Sequence, residues 1–194
     1  MAEEELLRKL YAQFIRLSKE KWQTLLNAHT QQEFKKGKIL SKPGELVQEV
    51  HFIISGGIRM YYVKNNREYT CSFCFEGSYL GDYKSMLTSQ PSRLYVEAIE
   101  DTVVYSLSKE NMEELYHHSP EFIQFGKRFA EFLFTEITSR NESFLFETPE
   151  ERYIQIMDEY PQLIQRIPQY MLASYIGVTP ETISRIRKRI SIHS

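Results

Sequence analysis

Hydrophobic positions change their period along the chain. Between residues 5 and 30 they recur at helical steps, Leu6, Leu10, Phe14 and Leu17, continued by Trp22, Leu25 and Leu26, which predicts helix. From 33 to 108 the pattern becomes short apolar or alternating runs between turn residues. "HFIISGGIRMYYV" is a run, a Gly-Gly break and a second run; "KNNRE" is the next turn; "YTCSFCF" alternates; "EGSYLGD" breaks again. "RLYVEAIEDTVVYSLS" supplies two more strands about an acidic turn. Short strands at this spacing predict a β-sandwich, barrel or roll.

From Ser108 the period is helical again. Ser108 caps a short helix carrying Met112, Leu115 and Tyr116. Ser119-Pro120-Glu121 then combines an N-cap, a proline at the first helical position and an acid in the first turn. The helix it opens runs for about 25 residues, roughly 37 Å at 1.5 Å per residue. Phe122, Phe125, Phe129, Phe132, Leu133 and Ile137 form its apolar stripe. The stripe is expected either to lie under the β domain or to meet its copy; we assign it to a dimer interface. Thr148-Pro149-Glu150-Glu151 is a capping box that starts another helix, ended by Pro161. The expected organisation is α+β: an N-terminal helix and β domain over 1–118, a long helix over 119–147, and a small helical unit over 148–194.

The last unit has the spacing of a helix-turn-helix. Gln169 to Tyr175 reads as the first helix, Ala173 is the small residue that lets the second approach, and Gly177 makes the turn. Thr179-Pro180 restarts a helix. Leu172, Ile176, Val178, Ile183 and Ile186 are the sealing positions. At 100° per residue Ile183, Ile186 and Ile190 share one face, whereas Glu181, Arg185 and Lys188 fall about 140–200° away. A recognition helix needs this division. Arg185 suits guanine O6 and N7, and Glu181 suits cytosine N4, so Glu181, Arg185 and Lys188 are the expected base contacts. Thr179, Ser184, Arg187 and Arg189 are the expected phosphate contacts.

Charge sharpens this reading. The chain of 194 residues carries a formal net charge of −2, but residues 166–194 hold +4 and the remainder −6. An acidic body with one basic end suits a protein that touches a polyanion through a single patch. No apolar run is long enough to span a membrane, and the N-terminus lacks the features of a secretory signal, so a cytoplasmic location is expected. Cys71 and Cys74 form a CxxC pair, but inside a strand pattern, where positions i and i+3 point to opposite faces. They are expected to be strand cysteines. No metal motif, phosphate loop or nucleophile–base signature is present, so no enzymatic activity is expected.

The element order, with "ISGGIRMYY", "FEGSYLGD" and "VTPETISRIRKRI", resembles the Crp/Fnr family of bacterial transcription regulators over nearly the whole chain. "TPEERY" through "RIRKRI" looks especially like members from Bacteroidetes-type bacteria. The resemblance implies an N-terminal β-roll of the cyclic-nucleotide-binding type (a double-stranded β-helix or jelly roll), a long dimerisation helix and a C-terminal winged-helix-like helix-turn-helix. It implies a homodimer on near-palindromic double-stranded DNA, with RNA polymerase as a further partner. Positions matching Glu181 and Arg185 contact bases in the family; a third base-reading arginine common in the founding members is here Pro180. In cyclic-AMP-binding relatives a Gly-Glu pair is followed by a short helix and an arginine. Here Gly81-Asp82 keeps the acid, Ser92 stands at the arginine position, and Arg93 comes one step later. Gly81, Asp82, Ser92 and Arg93, with Thr138 on the long helix, are the candidate effector pocket, for a cyclic nucleotide or another small effector. No cofactor is expected to be required. The alternative is a nucleotide-sensing module whose C-terminal unit binds a protein instead of DNA.

Overall fold

The computed structural model describes residues 2–193, leaving aside the side chains of Gln162 and of residues 191–193. Residues 1 and 194, the outer limits of the expected domains, lie outside the described residues. The chain divides into two compact units. One holds the residues up to Tyr62 together with Ser72–Phe132; the other holds Val63–Cys71 together with the residues from Leu133 onward.

The first unit opens with two helices, α1 (Ala2–Ala12) and α2 (Lys19–Asn27), where sequence periodicity predicts one continuous helical zone. Ser18 explains the break: its hydroxyl accepts from Lys21 N and caps α2. Phe14 is thereby released from helix and packs edge-on against Phe129 at 5.6 Å and Phe132 at 5.7 Å.

Eight strands follow: β1 (His29–Phe34), β2 (Ile39–Ser41), β3 (Glu49–Ser55), β4 (Gly57–Lys64), β5 (Arg67–Phe75), β6 (Tyr79–Leu80), β7 (Tyr95–Ala98) and β8 (Thr102–Ser108). They form two four-stranded sheets, in the orders β1-β8-β3-β6 and β2-β7-β4-β5. The Gly-Gly break is therefore a corner where the chain changes sheet. Gly56 takes φ +89°, and a Cβ there would lie 2.3 Å from the Asp101 carbonyl, so only glycine fits. The "KNNRE" turn is a tight hairpin: Asn65 and Asn66, with φ 52° and 58°, form a two-residue loop whose twist suits the strands. Register pairs Tyr61 with Tyr95, whose rings stack at 5.2 Å, and places Ile58 and Met60 opposite Ala98 and Val96 on the other face.

Between the sheets' strands lies α3 (Tyr83–Thr88), and after β8 come α4 (Lys109–His118) and α5 (Pro120–Phe146). Ser108 caps α4 through Asn111 N, as its sequence predicts. At 27 residues, α5 matches the predicted long helix. Its phenylalanine stripe, however, is used inside the protomer. Phe122, Phe125 and Phe129 are only 1%, 3% and 3% exposed. Phe125 and Phe129 pack against Phe14, and Phe132 is half-buried against Phe14 and Tyr79. The assignment of Phe122, Phe125 and Phe129 to a dimer interface is corrected: the N-terminal segment already covers that face. One residue on, about 100° around the helix, lies a different stripe. Ile123, Phe134 and Ile137 are 55%, 71% and 62% exposed, and Leu133 is half-buried beside them.

The second unit contains the end of α5, then α6 (Pro149–Glu159), α7 (Pro161–Arg166), α8 (Gln169–Ile176) and α9 (Pro180–His193). Thr148 and Glu151 form the predicted capping box. Pro161 ends α6 but also starts α7, a short helix that sequence patterning leaves out, because proline is as good at a first helical position as it is at stopping one. No strand follows β8 among the described residues.

Candidate nucleic-acid interface

The turn between α8 and α9 is made by Gly177 at φ +88°, whose amide bonds back to the Ala173 carbonyl. Its α-carbon sits against the Phe144 ring; an added Cβ would fall 2.9 Å from that ring. Two arginines satisfy the carbonyls that the end of α8 leaves open. An Arg140 Nη2 donates to Tyr175 O at 3.0 Å, and Arg152 Nε donates to Ile176 O at 3.1 Å. Both guanidinium groups also lie over Phe144, at 5.0 and 4.6 Å. Cations at a helix C-terminus complement its dipole as well as its free carbonyls. Burial lowers the Arg140 pKa, and the neighbouring Tyr175 opposes that shift.

Sealing positions Leu172, Ile176, Ile183 and Ile186 are buried, and Val178 is half-buried. Glu181, Arg185 and Lys188 are exposed on the opposite face of α9. Thr179 caps that helix, its hydroxyl accepting from Thr182 N at 3.4 Å. A hydrogen bond from the Thr179 hydroxyl, aided by Arg185 nearby, lowers the Glu181 pKa, so this side chain is held as a carboxylate ready to accept. Gln169 Nε2 donates to both Pro180 O and Ser184 Oγ at 2.8 Å, tying the start of α8 to the start of α9.

The residues expected at phosphates are placed less uniformly. Arg187 is half-buried, and its Nε donates to the Tyr153 hydroxyl at 2.9 Å. Arg189 pairs with Glu150 at 2.8 Å but keeps 59% of its side chain exposed. Ser184 and Thr179 are exposed, each engaged locally.

In the first unit two of the expected effector residues, Asp82 and Ser92, hydrogen-bond each other. Asp82 caps α3, accepting from Ser85 N at 3.0 Å through one oxygen. Its other oxygen accepts from the Ser92 hydroxyl at 2.8 Å. Ser92 is 3% exposed and also accepts from Leu94 N. Gly81 packs against the Glu49 carbonyl, which leaves its Cα little room for a side chain. Arg93 is exposed. Both Asp82 oxygens are thus engaged within the chain. Thr138, in the other unit, gives its hydroxyl to Phe134 O at 2.9 Å.

The cysteines behave as strand residues: Cys71 is half-buried and Cys74 buried, where burial raises the thiol pKa. No cluster of metal-ligating side chains occurs among the described residues. No helix there is long and apolar enough to cross a membrane.

Residues 31–119 match the family described as the cyclic nucleotide-binding domain. Solved structures of Crp/Fnr regulators align with most of the chain. The fold is that of the Crp/Fnr regulators. FixK2 from Bradyrhizobium japonicum is 18% identical, with 85% of each chain covered and a TM-score of 0.70. The c-di-GMP responsive global regulator CLP from Xanthomonas campestris is 16% identical, with 91% of this chain and 93% of that one covered, at 0.69. A mutant of CooA from Carboxydothermus hydrogenoformans is 19% identical over 87% and 79%, at 0.68. At these identities the likeness to Crp/Fnr structures is one of fold. Such neighbours are transcription regulators, not enzymes. A search of curated proteins finds no match.

Proposed function

We propose that the chain is a homodimeric, sequence-specific DNA-binding transcription regulator of the Crp/Fnr type, acting in the cytoplasm. The observation that carries this reading is the division of α9: Ile183 and Ile186 buried, with Glu181, Arg185 and Lys188 exposed opposite them after a left-handed turn at Gly177. Arg185 reads guanine, Glu181 reads cytosine, and Lys188 contacts a further base edge. Thr179, Ser184 and the exposed part of Arg189 face phosphates. Arg187 instead braces α9 on α6 through Tyr153.

Residues 1–118 act as the sensor-like domain, 119–147 as the dimerisation helix and 148–194 as the DNA-reading domain. The dimer forms along Ile123, Phe134 and Ile137, with Leu133 beside them. Ile123, Phe134 and Ile137, eleven and three residues apart, fall on one helical stripe, and exposed apolar groups on one stripe are what two copies of a helix need to interdigitate. A symmetric dimer presents two copies of α9 to half-sites about 34 Å apart, hence a near-palindromic operator. RNA polymerase is the expected downstream partner.

The β-roll does not take cyclic AMP by the family's cassette, because Asp82 and Ser92 satisfy each other. The reading is tested by a mobility shift of a fragmented genomic duplex pool over a range of salt. Selective retention of a subset of fragments, weakening as salt rises, supports it. Equal retention of all fragments, or none, refutes it.

A further inference from the structure

The tip of the β4–β5 hairpin, Val63–Cys71, belongs to the same compact unit as the helix-turn-helix, although its strands run on into the sheet of the first unit. Ser174, on the last turn of α8, is the centre of the contact. Its hydroxyl accepts from Thr70 N at 2.9 Å and from the Thr70 hydroxyl at 3.1 Å, and donates to Glu68 O at 2.9 Å. Arg140 of α5 reaches the same strand. Its Nη2 donates to Thr70 O at 3.2 Å and to Tyr175 O at 3.0 Å, with the guanidinium 3.9 Å above the Tyr175 ring. One side chain of α8 and one of α5 thus hold both the hairpin tip and the turn from which α9 departs.

None of these groups lies on the exposed face of α9 that carries Glu181, Arg185 and Lys188. They add no contact to a duplex. They limit instead how far α8 moves against the hairpin, and α8 carries α9 through the buried isoleucine seam. We infer that the hairpin tip is a clasp that pre-organises the helix-turn-helix, with Ser174 and Arg140 as positioning residues. An element already fixed in its binding conformation loses less freedom when it binds. The inference rests on the DNA-reading proposal above. It adds that affinity is set in part by a β-hairpin remote from the duplex.

The test uses the full chain. Ser174→Ala and Thr70→Val each remove a clasp hydroxyl, Arg140→Gln removes the fork, and Ser174→Thr restores a hydroxyl. Hydrogen–deuterium exchange is followed in peptides covering 63–71 and 169–176, alongside affinity for a fragment retained from the genomic pool. Exchange rises in both segments for the first three variants. Affinity falls about 3- to 10-fold, the scale of one or two net hydrogen bonds, while the slope of affinity against salt stays at the wild-type value. Ser174→Thr recovers both readouts. Unchanged exchange overturns the clasp, as does raised exchange with unchanged or tighter binding, or an altered salt slope. If wild-type chain retains no duplex, the DNA-reading proposal fails on its own, and exchange alone still decides whether the clasp holds α8.

Discussion

Single side chains of the second unit divide into those that face outward from α9 and those that hold that helix in place. Arg185 is exposed and has a donor fork that matches guanine. Replacing it with alanine is expected to cost about 1–3 kcal/mol on the preferred duplex and to relax choice at one base pair. Competition against duplexes substituted at each position measures this; equal losses on preferred and random duplexes would contradict it. Arg189→Ala is expected to weaken all duplexes alike and to flatten the salt slope, because an exposed cation near a phosphate carries no sequence information. Arg187→Ala should do neither, since its guanidinium is spent on Tyr153; it lowers thermal stability instead, by about 1 kcal/mol for the lost hydrogen bond and packing. The outward residues were legible from spacing, since 3.6 residues per turn fixes which side chains oppose the isoleucines. The partners of Arg187 and Ser174 were not. They lie 34 and 104 positions away in sequence, and no local pattern announces such a contact.

At the scale of elements, what local chemistry controls is legible in the sequence. Caps at Ser108 and Thr148, the turn at Gly177 and the hairpin at Asn65-Asn66 depend on a few consecutive residues and appear where their sequence places them. Replacing Gly177 with alanine is expected to destabilise the second unit by at least 1 kcal/mol, through positive φ and the Phe144 ring together. Calorimetric melting checks this. The long helix shows the limit of periodicity. A stripe of phenylalanines announces that something covers it, not what does. Here Phe14, freed by the Ser18 cap, does the covering. The two stripes of α5 therefore predict opposite phenotypes. Phe129→Ala opens the core and costs about 3–5 kcal/mol without changing the oligomeric state. Phe134→Glu leaves the fold intact and yields monomer in sedimentation. Monomer from the first, or an unaltered dimer from the second, would contradict the assignment.

Across the whole molecule, acid acts on several buried or paired groups of the first unit, of which His29 and Glu121 are shifted furthest. His29 donates from Nδ1 to Leu25 O and accepts the Tyr11 hydroxyl at Nε2, each at 2.8 Å. Burial lowers its pKa to about 4. The unfolded chain therefore binds the extra proton first, and stability falls as pH drops from about 6.5 towards 4, by about 3 kcal/mol for this group. Glu121 pairs with Lys21 at the start of α5, and that hydrogen bond lowers its pKa to about 2. Its stabilisation is present above the ordinary carboxylate pKa and lost as pH falls from about 4.5 towards 2. Urea titrations should show less loss between pH 6.5 and 4 in His29→Gln. In Glu121→Gln, the deficit at pH 7 should shrink below pH 4.5.

All of these effects serve one claim, that two copies of α9 read DNA together. Enrichment of randomised duplexes on the purified full chain, followed by sequencing, tests it most directly. The account predicts a near-palindrome whose half-sites lie about 10 base pairs apart, each with a G·C pair lost from the consensus when Arg185→Ala is used. Enriched pools with no common sequence, or with a single unpaired half-site, would contradict it.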